Sequence, residues 1–128
     1  MNDTKQTFAP ERIADNYLAA WNETDASKRS ELVANLWTSD GTYLDPLMQG
    51  QGVSQIAHLI GAAQQQFAGL QFTRAGQAEQ VGDHVRFSWH LSPAGGQPVA
   101  GGTDFCQLNE TGLLQSVTGF IDFMPTAS

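Results

Sequence analysis

Val85-Arg86-Phe87-Ser88-Trp89-His90-Leu91-Ser92 sets the period of the C-terminal half of this sequence. Apolar side chains at 85, 87, 89 and 91 alternate with polar ones, the pattern of a strand buried on one face. Gly82-Asp83 just before it is a tight hairpin turn, so Leu70 to Gln80 becomes the partner strand. Downstream, Pro93 to Gly96 turns the chain into a strand over Val99 to Leu108. Asn109-Glu110-Thr111-Gly112 turns it again into a last strand, Leu113 to Phe123. Gly101-Gly102 inside a strand pattern predicts a bulge or sharp bend, as a curved sheet requires.

Upstream the period changes to that of helices. A first helix is predicted from Pro10, a residue tolerated at the first helical position, to about Asn22. Ile13, Tyr17, Leu18 and Trp21 form its apolar stripe. A second helix spans about Ala26 to Thr38, with Leu32, Val33, Leu36 and Trp37 inward. Ser39-Asp40-Gly41 reads as a turn, and Thr42 to Asp45 as a short strand stopped by Pro46. After a loop through Gly50 and Gly52, a third helix runs from about Val53 to Phe67. Helices first and strands afterwards predict an α+β domain, with helices packed on one antiparallel sheet.

The 128 residues suffice for one domain without a disulfide or metal staple. The expected division is a flexible N-terminus at 1–9, a single domain at 10–124 and a tail at 125–128. Thirteen acidic against six basic residues give −7, which repels a phosphate backbone and argues against nucleic acid. No run reaches the ~18 apolar residues of a membrane helix, and the polar start, Met1 to Phe8, is not read as a signal peptide. A lone Cys106 excludes an internal disulfide and fits the reducing cytoplasm. His58, His84 and His90 share no ligand spacing, so no metal is expected.

Several motifs in this order carry a resemblance. They are Tyr17 and Trp21 on the first helix, Asp40-Gly41-Thr42-Tyr43-Leu44-Asp45-Pro46, and Gly52 opening the third helix. Gly102-Thr103-Asp104-Phe105, Leu108 to Gly112 and Gly119-Phe120 add to them. Over roughly residues 10 to 123 the sequence resembles the nuclear transport factor 2-like superfamily, most closely its SnoaL-like and ketosteroid isomerase-like branches. The resemblance implies three N-terminal helices packed on a strongly curved antiparallel sheet, forming a conical barrel around a mostly apolar pocket. It also implies a homodimer through the outer sheet face.

The same resemblance places three polar groups. Asp45, before Pro46, resembles the proton-abstracting aspartate of the isomerases. Tyr17 resembles their oxyanion-binding tyrosine and Asp104 their protonated oxyanion-binding carboxylic acid. A carboxylate base and two neutral donors in a dry pocket suit proton abstraction beside a carbonyl. Each residue also fits a plain structural role. Asp45 can cap a turn, Tyr17 can be core, and Asp104 can sit in a bulge facing solvent. Trp37 and Ile60 stand where the isomerases have supporting tyrosines, and Gly101-Gly102 where they have bulkier residues. A SnoaL-like arrangement, with one pocket aspartate doing acid–base work, tolerates these departures better. The expected pocket lining for a small hydrophobic molecule is Trp21, Trp37, Leu44, Leu47, Ile60, Phe87, Trp89, Val117 and Ile121. The function expected is a cofactor-independent isomerase, lyase or cyclase; the alternative is a non-catalytic ligand-binding or dimerisation module.

Overall fold

Pro10 opens the first helix in the computed structural model, which describes residues 9–125. The expected flexible N-terminus and C-terminal tail therefore lie outside the described residues, apart from Ala9 and Pro125. Helix α1 (Pro10–Asn22) buries Ala14, Tyr17, Leu18, Ala20 and Trp21. These recur every three or four residues and so share one face. Helix α2 (Ala26–Leu36) is capped by Asp25, whose side chain accepts from the Lys28 N–H at 2.9 Å. It ends two residues short of the expected Thr38, because Trp37 already has extended backbone and begins β1 (Trp37–Leu44).

Ser39-Asp40-Gly41 is thus no turn between elements but part of β1, where the pairing slips between Trp37 and Thr42. A Cβ on Gly41 would lie 2.6 Å from Trp37 Cδ1 and 3.0 Å from the Leu114 carbonyl oxygen, so the irregular strand closes only around a glycine. The loop through Gly50 holds a short strand, β2 (Gln49–Gln51), that hydropathy could not reveal in three residues. Helix α3 (Val53–Gln66) follows from Gly52 at φ 87°, and buries Ile56, Ala57, Leu59, Ile60 and Ala63.

The four long strands are β3 (Leu70–Val81), β4 (His84–Pro93), β5 (Ala100–Leu108) and β6 (Leu114–Phe123), joined as an antiparallel meander. The sheet order is β2-β1-β6-β5-β4-β3. Two expectations need correction here. The sheet is mixed rather than purely antiparallel, because β1 pairs with β6 in parallel. The whole meander separates those two strands, so no hairpin fixes their relative direction. The barrel is also not closed, since β2 and β3 remain as edges. Asn22 covers part of the β3 edge: its side chain donates to the Phe72 carbonyl and accepts from the Phe72 N–H, both at 2.8 Å.

Curvature comes from register shifts at Ala75/Glu79 and at Gly101/Gly102. The second lies at the predicted glycine pair, although the extra residue, Asp122, belongs to the partner strand β6. The concave face of the sheet and the inner faces of the helices enclose one core around Tyr17, Trp37, Ile56, Ile60, Phe87 and Val117. Each such side chain contributes about 1.5–3 kcal/mol by leaving water.

Candidate active site

The period of two along the strands fixes which side chains face the helices. On β4, Val85, Phe87, Trp89 and Leu91 point inward; opposite them on β5 lie Cys106, Asp104, Gly102 and Ala100. Asp104 is flanked by Phe87 of β4 and Gly119 of β6. On β1, Tyr43 points inward beside Val117, and Asp45 follows two residues later on the same side.

These groups surround a cavity with about 550 Å³ of empty space, counted out to its open mouth. Its walls bring together Tyr17, Asp45 and Asp104 with Trp21, Leu47, Trp89 and Ile121 from the expected lining. Five other expected lining residues do not reach it. Trp37, Ile60, Phe87 and Val117 are buried in the core behind the cavity wall. Leu44 alternates with Tyr43 and Asp45, so it faces outward and is 49% exposed. Tyr43, Met48, Phe67 and Phe72 line the cavity without having been expected there. For Tyr43 the signal was available: a residue two before Asp45 on one strand must share its face.

Asp104 is the one buried charged side chain among the described residues, 3% exposed. Burial pushes its carboxyl up to about 7, and the neighbouring charges of Asp45 and Asp122 act in the same direction. The nearby Tyr17 hydroxyl and the Trp89 indole oppose that rise. The Trp89 indole N–H donates to Asp104 Oδ1 at 3.2 Å. Gly102 makes this contact possible, because a Cβ there would collide with the indole ring that lies across it.

The Tyr17 hydroxyl is buried close enough to Asp104 for each to shift the other's titration, yet it makes no hydrogen bond of good geometry. Burial first, then the Asp104 charge, raise it well above the usual phenol value. The Trp21 indole N–H likewise has no partner among the described residues. An unmet buried donor costs about 1–3 kcal/mol, so these two N–H and O–H groups suit an acceptor on a bound molecule.

Asp45 is half-buried at the mouth. Its Oδ1 accepts from the backbone N–H groups of Leu47 at 2.7 Å and Met48 at 2.8 Å, the turn-capping role open to an aspartate before proline. Its Oδ2 accepts from the Tyr43 hydroxyl at 2.5 Å. Gly119 lies under the meeting point. A Cβ there would sit 2.8 Å from Asp104 Oδ1, 3.3 Å from Asp45 Cβ and 3.4 Å from the Tyr43 oxygen.

No lysine, arginine or histidine lines the cavity among the described residues. Arg74 is held at the surface by Asp15, and Arg86 by Glu79. His84 and His90 pack against Phe105 and Phe123 on the outer face of the sheet. Cys106 is buried, and burial followed by the Asp104 charge raises its thiol above the usual range.

Helices over an open curved sheet, with polar groups meeting inside an apolar cavity, define a protein of the nuclear transport factor 2-like class. Within that class the sequence matches the SnoaL-like domain family over residues 14–117, and the chain belongs to it. It is similar to a proposed isomerase of the SnoaL-like family from Agrobacterium tumefaciens. The two are 47% identical, with 88% of this chain and 97% of the other covered and a TM-score of 0.85. A proposed SnoaL-like polyketide cyclase from Jannaschia sp. CCS1 shares the fold at 16% identity, covering 91% of each chain with a TM-score of 0.67. So does a proposed polyketide cyclase from Sinorhizobium meliloti, at 21% identity over 88% of this chain and 99% of the other, TM-score 0.66. No curated protein matches the sequence.

Proposed function

We propose that the protein is a cofactor-independent isomerase, lyase or cyclase that moves a proton next to a carbonyl of a small, neutral, hydrophobic molecule. The observation that carries this reading is one apolar cavity in which a buried carboxyl with a pKa of about 7 and an unpartnered tyrosine hydroxyl face a second carboxylate. Tyr17 and protonated Asp104 would hold the oxygen as negative charge develops on it. Asp45 would be the final proton acceptor and return the proton in the second half of the reaction. Aromatic walls and the absence of a lining cation favour a neutral ligand over a phosphate or carboxylate. The similar Agrobacterium protein, itself a proposed isomerase, points the same way.

A second reading is a non-catalytic ligand-binding module. It is favoured by the hydrogen bonds that already occupy both oxygens of Asp45. In either case we propose a homodimer built on the outer sheet face, and a cytoplasmic setting that suits the reduced Cys106.

Binding of 2-naphthol, followed by its fluorescence, tests the acid–base reading, because its oxygen mimics an enolate on an apolar ring. Hydrogen bonds to a charged oxygen contribute about 1.5–3 kcal/mol, so Tyr17→Phe should weaken binding roughly tenfold or more. Equal affinity in wild type, Tyr17→Phe and Asp104→Ala would remove the oxyanion assignment.

A further inference from the structure

The Asp45 carboxylate has little room left to take a proton directly. A carboxylate offers about four lone-pair sites over two oxygens. Oδ1 is occupied by two backbone N–H donors, at 2.7 and 2.8 Å, and Oδ2 by the Tyr43 hydroxyl at 2.5 Å. Three of the four are therefore taken before any molecule enters.

The Tyr43 hydroxyl, in contrast, stands between Asp45 and the polar end of the cavity. Its ring is 5% exposed, lines the cavity and packs against Trp21 at 5.3 Å between centroids. Gly119 leaves it free of any side chain from below. Asp104 and Tyr17 both lie near enough to alter its titration. Asp104 Oδ1 and the Tyr43 oxygen both lie against Gly119, 2.8 and 3.4 Å from the position of its absent Cβ. A molecule whose oxygen rests on Tyr17 and Asp104 would thus have its adjacent carbon within reach of the Tyr43 oxygen.

Resting on the acid–base reading above, we propose that Tyr43 is the catalytic residue that exchanges a proton with the bound molecule, while Asp45 takes up Tyr43's own proton. The carbon–hydrogen bond next to the carbonyl breaks and its proton goes to the Tyr43 oxygen. In the same step the Tyr43 O–H bond breaks and that proton passes to Asp45 Oδ2. The electron pair moves into the carbonyl, leaving an enolate oxygen on Tyr17 and Asp104. Return of both protons along the same path, with the carbon now protonated at the far (γ) end of the dienolate, collapses the enolate and leaves the double bond conjugated with the carbonyl. Burial, followed by the Asp104 and Asp45 charges, raises the Tyr43 phenol well above its usual value. A free tyrosinate is then inaccessible near neutrality, and the two transfers must be concerted.

The test uses the full chain and cyclohex-3-en-1-one, whose isomerisation to the conjugated enone is read by ultraviolet absorbance. The relay predicts that Tyr43→Phe slows the reaction at least about 100-fold, the lower end of general acid–base contributions. Binding of 2-naphthol and cooperative unfolding should be retained. A Tyr43→Phe protein as fast as wild type, or faster because Oδ2 is freed, overturns the relay and makes Asp45 the direct base. If that variant fails to fold, the wild-type rate in D2O decides. The relay moves an exchangeable O–H proton in the rate-limiting step and must slow, whereas an unchanged rate overturns it. Absence of isomerisation by the wild-type protein removes the acid–base reading and this role together; fast reaction by both proteins removes this role alone.

Discussion

Asp104 shows how one side chain couples stability to chemistry. Its folded-state pKa of about 7 lies above the value of about 4 expected in the unfolded chain. Between those values the folded protein holds a proton that the unfolded chain has lost, so stability falls as pH rises through that window and levels off above it. At 1.36 kcal/mol per pH unit the full loss is on the order of 4 kcal/mol. Asp104→Asn cannot ionise and should lose this dependence. Urea unfolding at pH 5 and pH 8 should therefore show the variant gaining on wild type at the higher pH. An unchanged difference between the two proteins would mean that Asp104 titrates normally. The same titration sets the chemistry. Oxygen binding needs the protonated acid as a donor, so affinity for a neutral ketone should decline as pH passes about 7.

At the scale of elements, Asn22 acts as a substitute strand. Its two hydrogen bonds to the Phe72 backbone satisfy a donor and an acceptor that an edge strand would otherwise leave open. Asn22→Ala removes both, at about 0.5–1.5 kcal/mol each, and should speed amide hydrogen exchange at Phe72. Exchange at wild-type rate would show that the edge does not depend on this cap.

The helices and meander were legible because their apolar positions repeat at 3.6 or at 2 over ten residues or more. Strand β2, three residues long, and the parallel β1–β6 pair were not. Three residues are too few to show a period, even though β2 pairs with its sequence neighbour β1. The β1–β6 pair joins segments more than seventy residues apart, which periodicity does not encode. The candidate site divides in the same way. Tyr17, Asp45 and Asp104 could be picked out, and they do face one cavity. Helical and strand periodicity places Trp37, Ile60, Phe87 and Val117 inward, but it does not distinguish a core position from a cavity wall. Depth below the cavity wall is set by three-dimensional packing, and these four fill the core instead. The tie between Tyr43 and Asp45 needed the side-chain geometry, although strand parity alone puts both on one face.

The whole molecule leaves an apolar surface on the side of the sheet away from the helices. Phe120 is 57% exposed, with Phe123 at 46% further along β6 and Phe105 at 45% on the neighbouring strand β5. The His84 ring stacks on Phe105 at 5.2 Å, and His90 meets Phe123 edge-on at 5.9 Å. Large aromatic side chains clustered on one open sheet face suit a self-complementary contact, in which the same patch of two copies meets across a two-fold axis. A stable interface of that kind buries about 1,200–2,000 Å² in total, which an outer face spanning four long strands can supply. Phe120→Asp places two carboxylates near each other at such an axis, in a chain that already carries −7. Wild type should then sediment as a dimer at micromolar concentration and Phe120→Asp as a monomer that keeps its cooperative unfolding. A monomeric wild-type protein under those conditions would refute the dimer, and a dimeric Phe120→Asp would move the interface elsewhere. The cavity is lined by inward-facing residues, with Leu47 and Met124 its exposed members. None of Phe105, Phe120 or Phe123 lines it, so the monomeric variant should still bind 2-naphthol.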